Sequence, residues 1–313
     1  MTRILTTPDG TPSSPFAFGT MQFGGRADAN QSVEMYRDSR AAGITHFDTA
    51  YLYTDGVSEK LLGQMVQTER DQLLIATKVC YHGPATPERM IEQFDICRQR
   101  LQLDMVDVLY LHQFDSQTDL RRTMEGFAQL KETGQIRYVG LSNFAAWQVM
   151  KTQAAARELG LGIDILQPMY SLVKRQVEVE ILPMCADQDI AVASYSPLGG
   201  GLLTGKYAAG QSGRLNEDKG YKLRYDPDWM HHTAQALSAL AKERGVSPAT
   251  LAVAWVASHP TRPTPIISAR SAEQLKPSLD AIGFDMGVDL RAEISALGPT
   301  PPPATDRLEE AST

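Results

Sequence analysis

The feature that most constrains this chain is an alternation. Short apolar, β-branched runs recur with amphipathic helical runs between them. The strand candidates are 16–23 (FAFGTMQF), 45–50 (THFDTA), 73–79 (LLIATKV), 106–112 (VDVLYLH), 136–142 (IRYVGLS), 164–170 (DILQPMY), 190–196 (IAVASYS) and 264–269 (TPIISA). The helical runs carry their own punctuation. ANQSVEMYRDSRAAG and DLRRTMEGFAQLKETG stop at a glycine. TPERMIEQFDICRQRLQL opens with Thr86 as N-cap, Pro87 at the first helical position and Glu88 in the first turn. The first seven strands repeat at intervals of about 25–33 residues, the length of one strand-plus-helix unit. Near-continuously apolar strands suit a parallel sheet covered by helices. Eight such units in 313 residues predict one α/β domain over 1–313, a (β/α)8 TIM barrel. The competing doubly wound sheet would normally carry G-x-G-x-x-G after its first strand. GTMQFGG does not supply it.

One interval breaks the rhythm. Roughly 74 residues separate the starts of strands seven and eight, and the excess falls on the face where such barrels hold their active sites. It contains GGGLLTGKYAAGQSGRLNEDKGYKLRYDPDW and an extra helix near 229–244, long enough for a lid or cofactor clasp. At the other end, Pro8–Gly10 reads as a hairpin turn that could plug the barrel bottom. The Pro-rich stretch 298–313 reads as a loose tail.

A net charge of -7 without a Lys/Arg run argues against nucleic acid or anionic lipid as a partner. No apolar run approaches a membrane span, and the N-terminus lacks the apolar core of a signal peptide. Cys80, Cys97 and Cys185 are scattered, with no C-x-x-C, and are expected as reduced buried thiols of a cytoplasmic protein. No His spacing suits a metal, so none is expected. Oligomeric state is not legible.

Barrel chemistry sits at the C-terminal strand ends. Strand two delivers Asp48, with Tyr51 and Tyr53 just beyond. Strands three and four deliver Lys78 and His112. Strands five to seven deliver Ser142 and Asn143, then Gln167, then Tyr195. A phenol titrates near pH ~10, and a close Lys⁺ is expected to lower that. Asp48 would pair with Lys78, and His112 would donate a hydrogen bond to a carbonyl oxygen. The set suits protonation of the oxyanion that forms when hydride reaches a carbonyl carbon. Which tyrosine acts is open at this level.

These residues resemble the aldo-keto reductase family. FDTAYLYTDGVSEKLLG is similar to its D-T-A-x-x-Y-G-x-x-x-S-E signature, and IATKV and LYLHQFD to the strands carrying its lysine and histidine. GLSNF, LQPMYSLVKRQVE, YSPLGGGLLTGKY and PIISARSAEQL follow in the family's order, so the resemblance runs over roughly 15–297. It implies a tetrad of Asp48, Tyr53, Lys78 and His112, with Tyr53 as proton donor and Tyr51 at the rim. It implies reduction of small aldehydes or ketones with a nicotinamide cofactor. Gly19, Thr20, Met21 and Asp48 would lie near the nicotinamide ribose. Ser142, Asn143 and Gln167 would bond the carboxamide, and Tyr195 would stack on the ring. Ser196, Pro197, Leu198, Gly200 and Lys206 would pass under the pyrophosphate. Ser268, Ala269, Arg270, Gln274 and Ser278 would hold the adenosine end. Arg270 suits a 2′-phosphate, which favours NADPH over NADH.

The chain departs from the family pattern in places. Thr54 stands where glycine usually follows the tyrosine, Ser268 where glycine is common, and Ser278, after Pro277, where asparagine usually contacts adenine. Pro168 follows Gln167 where asparagine is frequent. Gly200–Lys206 satisfies G-x-x-x-x-G-K, but Tyr207 follows in place of Ser or Thr, which argues against a nucleotide triphosphate loop. The alternative function is a cofactor-binding regulatory subunit of a membrane channel, a reading that would want an N-terminal docking extension. Candidate pocket residues are Arg26, Arg214, Lys222, Arg224, Tyr225 and Trp229.

Overall fold

In a computed structural model, which describes residues 3–207, 210, 212–307 and 309, eight parallel strands close into a barrel in chain order. They are β1 (Ala17–Gly19), β2 (His46–Asp48), β3 (Leu74–Val79), β4 (Val106–Leu111), β5 (Ile136–Ser142), β6 (Ile165–Gln167), β7 (Ala191–Ser194) and β8 (Thr264–Ile267). Closure is made by β1 against β8, with Ala17 opposite Ile266. Between strands run α1 (Ala29–Ala41), α2 (Val57–Val66), α3 (Pro87–Leu101), α4 (Leu120–Glu132), α5 (Ala146–Arg157) and α6 (Ile181–Asp187). The Thr86 cap is formed, its hydroxyl accepting from the Arg89 N–H, and Pro87 opens α3 as expected.

Side-chain parity explains how this barrel builds a site. Alternate residues of a strand face the same side. The barrel interior is filled by Leu74 and Ala76, Val108 and Tyr110, Ile165, and Ala191 and Ala193. Two residues on, the same parity delivers Lys78, His112, Gln167 and Tyr195 at the C-terminal end. The pattern that packs the interior therefore also aims the functional groups. Gly140 opposite Tyr110 belongs to this packing, since a Cβ there would lie 2.4 Å from the Tyr110 ring.

The bottom is stoppered as expected. Thr6 bridges Pro12 in antiparallel fashion, and the Thr7 N–H donates to the Thr11 carbonyl at 2.9 Å. Leu5 is buried among the interior side chains, and the Thr6 hydroxyl bonds that of Tyr138 at 3.0 Å.

The long segment after β7 starts with a 3-10 turn at Gly199–Thr204 and holds more helix than the sequence suggested. Two short helices, α7 (Arg214–Glu217) and α8 (Lys219–Arg224), precede the anticipated one, α9 (Asp228–Glu243), and α10 (Pro248–Ala257) follows it. Eight consecutive residues of α10, Ala249–Val256, are buried, so it lacks the polar stripe that marks a surface helix. After β8 come α11 (Ala272–Leu279) and α12 (Val288–Ser295). Residues 208, 209 and 211 of the long segment, and 308 and 310–313 of the expected tail, lie outside the described residues. The three cysteines are free and buried. Among the described residues no helix is long and apolar enough to cross a membrane, and no cluster of acidic, His and Cys side chains is arranged to hold a metal ion.

Candidate active site

Lys78 is fully buried, and its ammonium group spends its donors on three acceptors. These are Asp48 Oδ1 at 2.5 Å, the Thr49 carbonyl at 2.7 Å and the Tyr53 hydroxyl at 3.3 Å. The other Asp48 oxygen accepts the Gln167 amide at 2.8 Å. The Lys78 Nζ also stands 4.8 Å from the centre of the Tyr53 ring. His112 meets that ring edge-on at 6.0 Å, and Tyr81 meets His112 at 4.8 Å. Asp48, Tyr53, Lys78 and His112 are thus brought together. Tyr51 is not in this group: the Arg100 guanidinium stacks on its ring at 4.7 Å.

The backbone that carries Tyr53 is unusual. Thr54, Asp55 and Gly56 all have positive φ, at 47°, 52° and 86°. A β-branched residue rarely adopts that conformation, which accounts for the glycine expected at position 54. Here the Thr54 hydroxyl donates to the Phe23 carbonyl at 2.8 Å and accepts from the Ser58 N–H at 2.9 Å. Two hydrogen bonds thus hold a residue that its own sterics disfavour.

Burial sets the protonation states. It raises the Tyr53 phenol, Lys78 opposes the rise, and the net shift is upward. This corrects the expectation that Lys78 would bring the phenol below its ordinary value, because desolvation is the larger effect in this site. Tyr53 is therefore a protonated phenol at neutral pH. Burial pulls Lys78 down, but Asp48 and Tyr53 outweigh it and the ammonium is retained. Burial, with Lys78 and His82 adding to it, lowers His112 to about 2, so its ring is neutral.

Above this floor a cavity of about 670 Å³ runs across the C-terminal face. Gly19, Met21, Asp48, Tyr53 and His112 line it, as do Ser142, Asn143, Gln167 and Tyr195. Ser196, Pro197, Leu198, Gly200, Lys206, Ser268, Ala269, Arg270 and Gln274 continue it to the far end. The Tyr195 hydroxyl donates to Asn143 Oδ1 at 2.6 Å, and the Asn143 amide donates to the His112 carbonyl at 2.9 Å. Gly200 and Gly201 have φ of +65° and +94°, and a Cβ on Gly200 would lie 2.9 Å from the Tyr221 ring. The cavity wall there is bare backbone, with Lys206 beside it. Arg270 and Arg26 both pair with Glu217, at 3.0 and 2.9 Å.

Of the anticipated residues, Lys78 reaches the cavity only through Asp48 and Tyr53, and two others do not face it. Thr20 is fully buried, its hydroxyl bonded to the Asp48 carbonyl and to Ser58. Ser278 is buried behind Pro277, and it is Pro277 that lines the wall. Of the candidate pocket residues, Arg214 and Arg224 line the cavity, whereas Arg26, Lys222, Tyr225 and Trp229 do not. Tyr225 instead packs fully buried against Gly199 and Gly200. Leu52, Tyr81 and Tyr221 join the lining without having been singled out. Tyr81, three residues past Lys78, was accessible to the same strand-end argument; Tyr221 lies in a short helix with no apolar period to reveal it.

The profile of the Aldo/keto reductase family matches residues 15–296. An "Uncharacterized oxidoreductase YrpG" of Bacillus subtilis (strain 168) is 30% identical, over 92% of this chain and 93% of its own length. "Aflatoxin B1 aldehyde reductase member 2" of Rattus norvegicus is 32% identical, over 87% of this chain and 81% of its own. "Probable voltage-gated potassium channel subunit beta" of Arabidopsis thaliana is 30% identical, over 87% and 88%.

Proposed function

The chain belongs to the aldo/keto reductase family of NAD(P)H-dependent oxidoreductases, and from that premise we propose an NADPH-dependent reductase of aldehyde or ketone carbonyls with Tyr53 as proton donor. One observation carries the reading. A single buried ammonium, Lys78, touches both the Asp48 carboxylate and the Tyr53 hydroxyl on the floor of a long cavity.

The residues present fit a dinucleotide. The bare backbone of Gly200 and Gly201 with Lys206 alongside suits a pyrophosphate, because the missing side chains leave room for close approach beside a cation. Ser268 keeps a buried hydroxyl without a partner among the described residues, at the end where the adenosine would lie. Arg270 would grip a 2′-phosphate, which favours NADPH. When bound, the reduced nicotinamide supplies hydride to the carbonyl carbon.

The chain's own groups do the rest. Neutral His112 donates a hydrogen bond to the carbonyl oxygen and orients it. Tyr53 releases its proton to that oxygen as negative charge develops there, and Lys78 stabilises the phenolate left behind. Asp48 keeps Lys78 charged and aimed. Gln167, Asn143 and Ser142 would fix the carboxamide, and the Tyr195 ring would fix the nicotinamide face. The whole chain acts as one domain in this reading.

Similarity to proteins named as potassium channel β subunits favours a second reading, a cofactor-binding regulatory subunit with little turnover. Titration with NADPH and NADH, followed by nicotinamide absorbance assays on aromatic, aliphatic and sugar aldehydes, separates the two. The reductase reading expects NADPH binding with turnover; binding without turnover on any aldehyde favours the second.

A further inference from the structure

Outside the cavity, a second set of polar groups is buried against the loop that carries Tyr53. Glu59, on α2, is fully buried. Its Oε1 accepts from the Thr77 hydroxyl at 2.7 Å, and its Oε2 accepts from Arg100 Nη1 at 3.1 Å. The same Arg100 nitrogen donates to the Tyr51 carbonyl at 2.8 Å. The Tyr51 N–H in turn donates to the Lys78 carbonyl at 3.0 Å. Both main-chain groups of Tyr51 are therefore committed, one to the strand of the catalytic lysine and one to α3. The guanidinium also packs into the turn itself: a Cβ on Gly56 would lie 2.4 Å from it.

We propose that Arg100, anchored by Glu59, is a positioning residue for the reaction, holding the 51–56 loop so that the Tyr53 hydroxyl stays within reach of Lys78. The proposal rests on the reading of Tyr53 as proton donor. Thr77 and Lys78 are neighbours on β3 and point to opposite faces. The Glu59 network thus grips the outer face of the strand whose inner face carries the ammonium. The hydroxyl stands 3.3 Å from Nζ, at the long end of a hydrogen bond, so a small displacement of the loop breaks the contact. Tyr51 and Arg100 are 49 residues apart, and no substitution of Arg100 removes a cavity wall.

The charged and titratable groups around Tyr53 are Lys78 from β3, Asp48 from β2, His112 after β4, Tyr195 after β7 and Tyr221 from α8. Around Glu59 they are Arg100 and Cys97 from α3. Of those acting on the phenol, Lys78 alone lowers it. Loosening the loop therefore changes both the Lys78 contact and the burial that together set this phenol.

The test compares Arg100→Met and Arg100→Lys, each alone and combined with Tyr53→Phe. NADPH affinity, kcat, KM and the pH profile of kcat are measured. Arg100→Met is expected to lower kcat ~10- to 100-fold and to leave NADPH affinity within ~2-fold. It should move the alkaline limb of kcat, because the surroundings that set the Tyr53 phenol change. Arg100→Lys, which retains the charge and one donor direction, should recover part of the loss and serves as the test if the Met variant does not fold. In the Tyr53→Phe background neither change should cost further activity, because the group being positioned is gone. An equal fold-loss in both backgrounds, or an unmoved pH limb, would overturn the positioning role while leaving the reductase intact. Absence of turnover in the wild-type protein would overturn both.

Discussion

Gln167 donates its side-chain amide to Asp48 Oδ2 at 2.8 Å, on the carboxylate oxygen not taken by Lys78. The contact spans 119 residues of sequence and crosses the barrel interior from β6 to β2. It links a residue assigned to the cofactor with the pair assigned to the proton donor. Gln167→Leu would leave a buried carboxylate oxygen without a partner, a defect of about 1–3 kcal/mol. Urea unfolding should show that loss, together with weaker NADPH binding. Unchanged stability would mean that Asp48 finds another donor.

The buried histidines make the fold sensitive to acid. Burial lowers His112 from 6.5 to about 2 and His46 from 6.5 to about 4. Below the unfolded value, the unfolded chain takes up protons that the native state refuses. Stability contributed by neutral His112 and His46 is thus fully present above pH 6.5 and is lost progressively as pH falls toward 4. Each histidine contributes a slope approaching about 1.4 kcal/mol per pH unit in that window. Unfolding free energies of wild type and His112→Gln, measured at several pH values across it, should converge as pH falls, by about one proton's slope. Parallel lines would show that His112 titrates normally.

Arg270 shares Glu217 with Arg26, so a carboxylate already sits where the 2′-phosphate would compete. Arg270→Gln should weaken NADPH binding by roughly 10- to 100-fold and leave NADH within about 2-fold, as expected for loss of one charge-assisted phosphate contact. Fluorescence titration with both nucleotides reads the difference. An equal loss for both would remove Arg270 from phosphate recognition.

Much of this architecture was legible in the sequence because two periodicities coincide. Strand spacing predicts the barrel, and the alternation that buries Ala76 and Tyr110 aims Lys78 and His112 into the site. What was not legible depends on three-dimensional neighbours. The upward shift of Tyr53 comes from burial, which a list of nearby charges does not contain. Thr20 sits beside Gly19 in sequence yet spends its hydroxyl on Asp48 and Ser58, behind the wall. Thr54 reads as a departure from glycine, and only the contacts of its hydroxyl with Phe23 and Ser58 explain how the left-handed turn survives. Arg100 reads as a helix-surface charge until its carbonyl partner on Tyr51 is seen. The helix α10 escaped notice because it is apolar on every side.

The choice between the two tyrosines tests the account most directly. Tyr53 touches Lys78, whereas Tyr51 lies under Arg100 and outside the cavity lining. The decisive measurement is NADPH-dependent turnover of an aldehyde panel by wild type, Tyr53→Phe and Tyr51→Phe, alongside NADPH affinity for each. Tyr53→Phe should lose about 10²- to 10⁴-fold in kcat while still binding NADPH, and Tyr51→Phe should keep most of its activity. Substantial turnover in Tyr53→Phe, or a comparable loss in Tyr51→Phe alone, would contradict Tyr53 as the proton donor.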